Sequence, residues 1–196
     1  MSNSIKILKI EPCEKSKYIT LKRVTYLQND SEKTWDIVKT HDSVSILLYH
    51  NEKKSFLLVK QFRPAVFLNN SDNDGYTYEL CAGLMDKELS EKETIKEEVL
   101  EECGYEIELE NIVKINSIYS SVGVSGSKQH IFFGFIDESA KRNEGGGTKD
   151  EDIELFFLHR DMVKEFLYDE KMPKTPGLLF CLLWFFDNEN NLTRKS

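Results

Sequence analysis

Two styles of apolar patterning run along this chain, and one gives way to the other near residue 42. Before that point the hydrophobic residues are sparse and alternate with polar ones, in residues 5–10 (IKILKI), 18–25 (YITLKRVT) and 33–39 (KTWDIVK). Period-two alternation predicts strands with one wet face. Three of them predict a small antiparallel sheet, an N-terminal β domain over residues 1–42. A sheet of roughly forty residues is marginal alone and needs something to pack on. Trp35 is its expected anchor, in a core or against a second subunit, and is also a candidate substrate contact.

From His41 the apolar runs become dense. Val44 to Tyr49 (VSILLY) and Ser55 to Val59 (SFLLV), separated by a turn at HNEKK, predict a hairpin in a covered sheet. QFRPAV and a polar loop, LNNSDNDG, lead to a strand at Tyr76 to Cys81. Further strands are expected at 112–119, 131–136 and 153–158. Exposed loops separate them, SSVGVSGSKQ and ESAKRNEGGGTKDED. Helices are expected from Asp161 to Tyr168 and from Thr175 to Phe186. This mixture reads as α+β or an α/β/α sandwich over residues 43–196.

The most informative stretch is Gly83 to Tyr105, GLMDKELSEKETIKEEVLEECGY. Ser90 with Glu93 is a capping box, in which each side chain satisfies a backbone N–H of the other residue. A helix is therefore expected from about Glu91 to Cys103, ending at Gly104, which can take the left-handed conformation of a helix terminus. Ile95, Val99 and Cys103 form its buried stripe. Glu98, Glu101 and Glu102 stand three and four apart on one edge, where like charges repel by roughly a few tenths of a kcal/mol per pair. Such an edge is either a solvated acidic face or a site for hard divalent cations, which favour oxygen ligands and offset the repulsion.

Composition narrows the field. Of 196 residues, 40% are apolar and 31% charged, enough for one large domain or one domain with a small appendage. The net charge of −8 argues against nucleic acid or an anionic membrane as a partner. It does not argue against a phosphate substrate, because bound cations invert the local field. Cys13, Cys81, Cys103 and Cys181 show no paired spacing and read as reduced thiols of a cytoplasmic protein. The N-terminus carries no apolar run of signal-peptide length, and the longest apolar stretch, 178–186, is too short to span a bilayer.

Other candidates are scattered. Arg63 sits at a strand end before a Pro, and its guanidinium suits bidentate phosphate contact. Glu79, on the strand that delivers Gly83, looks into the site or into water. The acidic segment KDEDIE follows a Gly-rich linker, which would let Glu151 swing over a metal cluster as ligand or base. His41, His50, His130 and His159 have no Cys or Ser at catalytic spacing and read as structural, with His130 the one to test. Gly145 to Gly147 is not a phosphate loop, since no Lys-Ser/Thr pair or helix follows it.

The frame around the acidic helix resembles the Nudix box, G-x5-E-x7-R-E-U-x-E-E-x-G-U, where U is bulky and apolar. Gly83, Glu98, Val99, Glu101, Glu102, Gly104 and Tyr105 fall in register. Leu89 stands where the first Glu belongs, with Glu88 beside it, and Glu97 where the Arg belongs, with Lys96 beside it. TWDIVKTHDSVSILLY, LLVKQFRPAV, YELCAGLMD, SSVGVSGSKQ and PKTPGLLFCLLWFF extend the resemblance over nearly the whole chain from Lys33, toward the UDP-sugar diphosphatase branch.

The resemblance implies a Nudix α/β/α core with a small N-terminal β-sheet domain, in a homodimer. It implies Mg²⁺-dependent hydrolysis of a nucleoside diphosphate sugar, with Mn²⁺ as a substitute metal, giving a nucleoside monophosphate and a sugar 1-phosphate. Metal ligands would be Glu98, Glu101, Glu102, Glu151 and the Ala82 carbonyl. Glu98, Glu102 and Glu151 would be catalytic, and Arg63 and Glu79 would contact substrate. Lys149 stands where relatives often carry a Glu, which leaves the base among Asp150, Glu151 and Asp152. The alternatives are an ADP-ribose diphosphatase and a non-catalytic Nudix-like binding module.

Overall fold

The computed structural model describes residues 5–72, 74–148 and 151–192. Strands β1 (Thr20–Gln28) and β2 (Ser31–Lys39) pair antiparallel along nine positions, from Thr20 with Lys39 to Gln28 with Ser31. Their two-residue connection puts Asn29 and Asp30 at φ 52° and 60°, the mirror-image turn whose twist matches that of the strands. The expected third strand is absent from the described residues. Residues 5–10 carry no strand, and Leu8 and Ile10 are 86% and 71% exposed. Alternation permits a strand but does not by itself dock one onto the free edges of the ribbon.

Among the described residues, two hydrogen bonds tie the ribbon to the loop after β7 (Val113–Tyr119). The Val38 N–H donates to the Val124 carbonyl at 2.9 Å, and the Trp35 indole N–H to the Gly123 carbonyl at 2.9 Å. Trp35 is 54% exposed, so it is no core residue within the single chain.

The main sheet has β3 (Ser43–His50) at its centre, beside β4 (Ser55–Phe62) and, in parallel, β8 (Lys128–Ile136). β7 flanks β8, and β9 (Ile153–His159) flanks the outer edge of β4. β3 and β4 share only three pairs, Leu48–Leu57, Tyr49–Phe56 and His50–Ser55, before they part. Into the gap runs one stretch of chain that changes partner at Leu80. Its first half, β5 (Tyr76–Glu79), pairs with β4, and its second, β6 (Cys81–Leu84), pairs with β3. The candidate site residues collect at this split.

Both faces of the sheet are covered, which is why its strands are dense rather than alternating. One face packs Val44, Ile46, Leu48, Leu57 and Val59 against Ile95, Val99 and Cys103 of the acidic helix. The other packs Leu47, Phe56, Leu58 and Phe133 against Leu178, Cys181, Leu182 and Phe185 of the C-terminal helix. The α/β/α sandwich expected from the sequence is therefore present. Besides the acidic helix, the described residues form α1 (Pro64–Asn69), α3 (Val163–Tyr168) and α4 (Pro176–Asn188). α1 replaces the start of an expected loop. Pro64 at its first position lacks only an N–H that a helix start leaves unused.

The acidic helix α2 (Glu91–Glu98) carries the expected capping box. Glu93 N–H donates to Ser90 Oγ at 3.3 Å, and Ser90 N–H to Glu93 Oε2 at 2.9 Å. The helix does not continue as α to its end. Val99–Cys103 form a wider π turn, closed by Gly104 at φ 76°.

Candidate active site

β5 and β6 lay alternate side chains on the face that α2 covers. Glu79 is on that face, its side chain 13% exposed, held by Arg63 from the end of β4. Arg63 Nε and Nη2 each donate to one Glu79 oxygen at 2.7 Å, and Thr77 Oγ1 donates to Glu79 Oε1 at 2.5 Å. The bidentate contact to Glu79 holds the guanidinium above its ordinary pKa, opposed by burial and reinforced by Glu102 and Glu151.

Further along, in β6, Gly83 meets the Glu98 carboxyl. A Cβ there would collide with that group, so glycine is what lets the Glu98 carboxyl lie against β6. Glu102 is 3% exposed, and its Oε2 accepts the Ala82 N–H at 3.0 Å. Burial pushes the Glu102 carboxyl up to about 8, against the pull of the Ala82 bond. Glu98 is pushed up to about 7, by burial first and then by the charge of Glu101. Glu101 is half-buried on the same turn. Glu98 and Glu102 thus resist ionising, and the three side chains offer oxygen donors only, the ligand type that hard divalent cations take.

Glu151 is exposed, and its Oε2 accepts from Thr148 N–H at 2.9 Å and Thr148 Oγ1 at 3.3 Å. Its charge nonetheless reaches Arg63, Glu98 and Glu102. Lys149 and Asp150 lie outside the described residues.

Residues 39–175 match the NUDIX domain family. The chain belongs to the Nudix family. It is 37% identical to the uridine diphosphate glucose pyrophosphatase NUDT14 of Bos taurus, over 89% of this chain and 90% of that one. The corresponding Mus musculus protein is 33% identical over the same shares. A GDP-mannose pyrophosphatase of Cronobacter sakazakii is 34% identical, over 79% of this chain and 81% of its own. Nudix hydrolases generally use a divalent metal.

One of the two departures from the Nudix box, Glu97, is met by a cation from the loop. Lys87 Nζ lies 2.7 Å from Glu97 Oε2, bridging the loop after Gly83 to the helix position where the box has its Arg. The loop thus supplies a cation and the helix an anion. Lys96 turns away, to Glu108 at 3.1 Å, and Glu88 is exposed. Lys87 was not legible in the sequence, because loop length and helix phase together decide what it reaches.

His130 stands apart from the Nudix carboxylates. Its Nδ1 lies 2.8 Å from Ser117 Oγ and 3.1 Å from Glu91 Oε1, at the start of α2. Among the described residues, one group of three ligand-type side chains has its ligand atoms within 4.8 Å of one another: His50, Glu52 and Glu138. It lies at the far end of β3 from Gly83, and the Lys53 ammonium already sits on Glu138. Lys53 N–H donates to His50 Nδ1 at 3.3 Å, which leaves the ring proton on Nε2, 3.3 Å from Glu138. That group is an ion-pair cluster, and the Nudix carboxylates are spread more widely than it is.

Proposed function

We propose that this chain hydrolyses the diphosphate of a nucleoside diphosphate sugar of the UDP-glucose type, releasing a nucleoside monophosphate and a sugar 1-phosphate. The observation that carries the reading is the pair Glu98, half-buried beside Gly83, and Glu102, buried beside Ala82, both held from ionising chiefly by desolvation. Relatives at 37% and 34% identity bear the names UDP-glucose and GDP-mannose pyrophosphatase, which supports the substrate class.

Mg²⁺, with Mn²⁺ as substitute, would be held by Glu98, Glu101, Glu102, Glu151 and the Ala82 carbonyl, and when bound supplies charge neutralisation and a more acidic water. The remaining work falls to the chain's own side chains. Of Arg63's five N–H donors two go to Glu79, which sets the plane of the guanidinium and leaves donors for a phosphate oxygen. Thr77 in turn fixes Glu79. Water oxygen bonds to phosphorus, the bridging P–O bond breaks, and the water proton passes to a carboxylate, for which Glu151 is our assignment. To serve there, Glu151 must give up its two bonds to Thr148.

We further infer that residues 1–42 act as a dimerisation domain. A lone two-stranded ribbon is marginal in water, and this one exposes Leu21 and Leu27 at 74% and 73%, with Trp35 on the neighbouring strand. A second copy of the chain would cover them and bring Trp35 to a substrate. No helix among the described residues is long and apolar enough to cross a membrane. The free thiols of Cys81, Cys103 and Cys181 suit a reducing compartment such as the cytoplasm.

The test is a panel of UDP-glucose, GDP-mannose and ADP-ribose with Mg²⁺ or Mn²⁺, scored for phosphomonoester products. UDP-glucose should be turned over fastest. Preference for ADP-ribose would move the chain to the other diphosphatase branch. Binding without product at every metal concentration would make it a non-catalytic module.

A further inference from the structure

By sequence the triple glycine is an exposed linker, but in the fold it lies against the last turn of the acidic helix. Within that π turn, Gly104 and Tyr105 N–H groups close on the carbonyls of Leu100 and Val99, at 3.2 and 3.4 Å. The carbonyls of Glu101 and Glu102, the two residues that bear site carboxylates, receive their donors from outside the helix. Gly147 N–H donates to the Glu101 carbonyl at 3.2 Å and Gly146 N–H to the Glu102 carbonyl at 2.8 Å. A helix end ordinarily leaves such groups to water or to caps. Here a distant strap caps them.

The strap can sit there only as glycine. Gly145, Gly146 and Gly147 have φ of 67°, 105° and 81°, a region L side chains rarely adopt. A Cβ on Gly145 would collide with the Glu102 carbonyl, and one on Gly147 would stand 2.7 Å from Glu151 Oε2. Asn143 locks the approach. Its Oδ1 accepts the Gly145 N–H at 2.7 Å, and its Nδ2 donates to the Leu100 carbonyl at 3.4 Å. On the far side, Ile153 N–H donates to the Gly146 carbonyl at 3.3 Å, tying the strap to β9. Glu151 therefore hangs from an anchored residue, Gly147, and Thr148 holds its carboxylate in place.

We infer that Asn143 and Gly145–Gly147 are positioning residues for the hydrolysis proposed above, on which this inference rests. They hold the turn that aims Glu101 and Glu102, and they anchor the segment from which Glu151 reaches the same site. The helix and the acidic loop thereby share one backbone joint. Supporting contacts of this kind commonly matter about 10- to 100-fold in metal affinity or activity.

Two variants test it. Asn143→Ala removes both side-chain bonds without touching a carboxylate. In Gly146→Ala the new methyl meets nothing nearer than the Ile153 carbonyl at 3.8 Å, so the penalty falls on its φ alone. In both, amide exchange at residues 146 and 147 should rise. Mn²⁺ affinity, titrated by electron paramagnetic resonance without substrate, should weaken about tenfold. With UDP-glucose, kcat should fall by a similar factor or more while KM stays within about twofold. Asn143→Asp, which keeps the acceptor for Gly145 N–H, should recover part of the loss. The inference is overturned if the amides loosen while Mn²⁺ affinity and kcat remain those of the parent, or if they stay protected in both variants. The Mn²⁺ titration needs no turnover, so it judges the strap even if no nucleoside diphosphate sugar proves to be a substrate.

Discussion

Glu102→Gln should make the metal-free protein more stable and the enzyme inactive. Glu102 is 3% exposed and its carboxyl is pushed up to about 8 from an ordinary 4.5. The unfolded chain ionises this group from pH 4.5 upward, whereas the folded chain keeps the proton until about pH 8. Folding therefore becomes progressively less favourable as pH rises through that window, and the loss levels off above it. At 1.36 kcal/mol per pKa unit the full penalty is about 5 kcal/mol. Gln is neutral at every pH, and its carbonyl oxygen can still accept the Ala82 N–H. The gain should thus be near zero at pH 4.5 and about 5 kcal/mol at pH 9, roughly a 2 M rise in urea midpoint. Urea unfolding in EDTA across that range measures it. A variant that gains nothing between pH 4.5 and 9, or loses stability at pH 9, would refute burial as the cause. Added Mg²⁺ should reverse the order, stabilising the parent more than the variant, because only the parent's carboxylate can bind it.

Three further outcomes follow from the same geometry. Gly83→Ala should cut kcat about 10²-fold by displacing the Glu98 carboxyl, with circular dichroism unchanged; near-normal turnover would show that Glu98 can move aside at no cost. Arg63→Lys keeps the charge but not the fork to Glu79, so substrate KM should rise about tenfold, and an unchanged KM would remove Arg63 from substrate binding. His50 is fully buried and held below its ordinary 6.5, chiefly by that burial, so the unfolded chain takes up its proton first. Stability should accordingly fall as pH drops below about 6.5, and His50→Leu should flatten that slope in thermal melts from pH 7.5 to 5.5.

Much of the fold was legible because local chemistry and packing agreed. The capping box at Ser90 and Glu93, the stripe Ile95, Val99 and Cys103, and Gly104 at the end together mark one helix, and all are in place. What could not be read depended on partners remote in sequence. The π turn receives N–H groups from residues 146 and 147, and the split of β5 from β6 at Leu80 falls where β3 and β4 part. Residues 5–10 carried the same alternation as β1 yet form no strand, because alternation shows which face a strand would bury and not whether the segment pairs at all. Of the candidate site, Glu98, Glu102, Arg63 and Glu79 could be named from the sequence, and folding brings them to one region. The Lys87–Glu97 bridge, Thr77 and Asn143 were not, because each is defined by a neighbour that only folding supplies.

The parallel pairing of β3 with β8 also governs how the molecule comes into being. Ser43 finds its register partner in Gln129, a residue made 86 positions later. At about 5–20 residues per second of synthesis, one edge of the innermost strand stays bare for roughly 4–17 s. That strand is buried from Val44 to His50 in the finished fold, and until its neighbour arrives the edge is open to pairing with other nascent copies. Chaperone dependence during translation, rather than weakness of the finished protein, is where damage to β8 should first be felt.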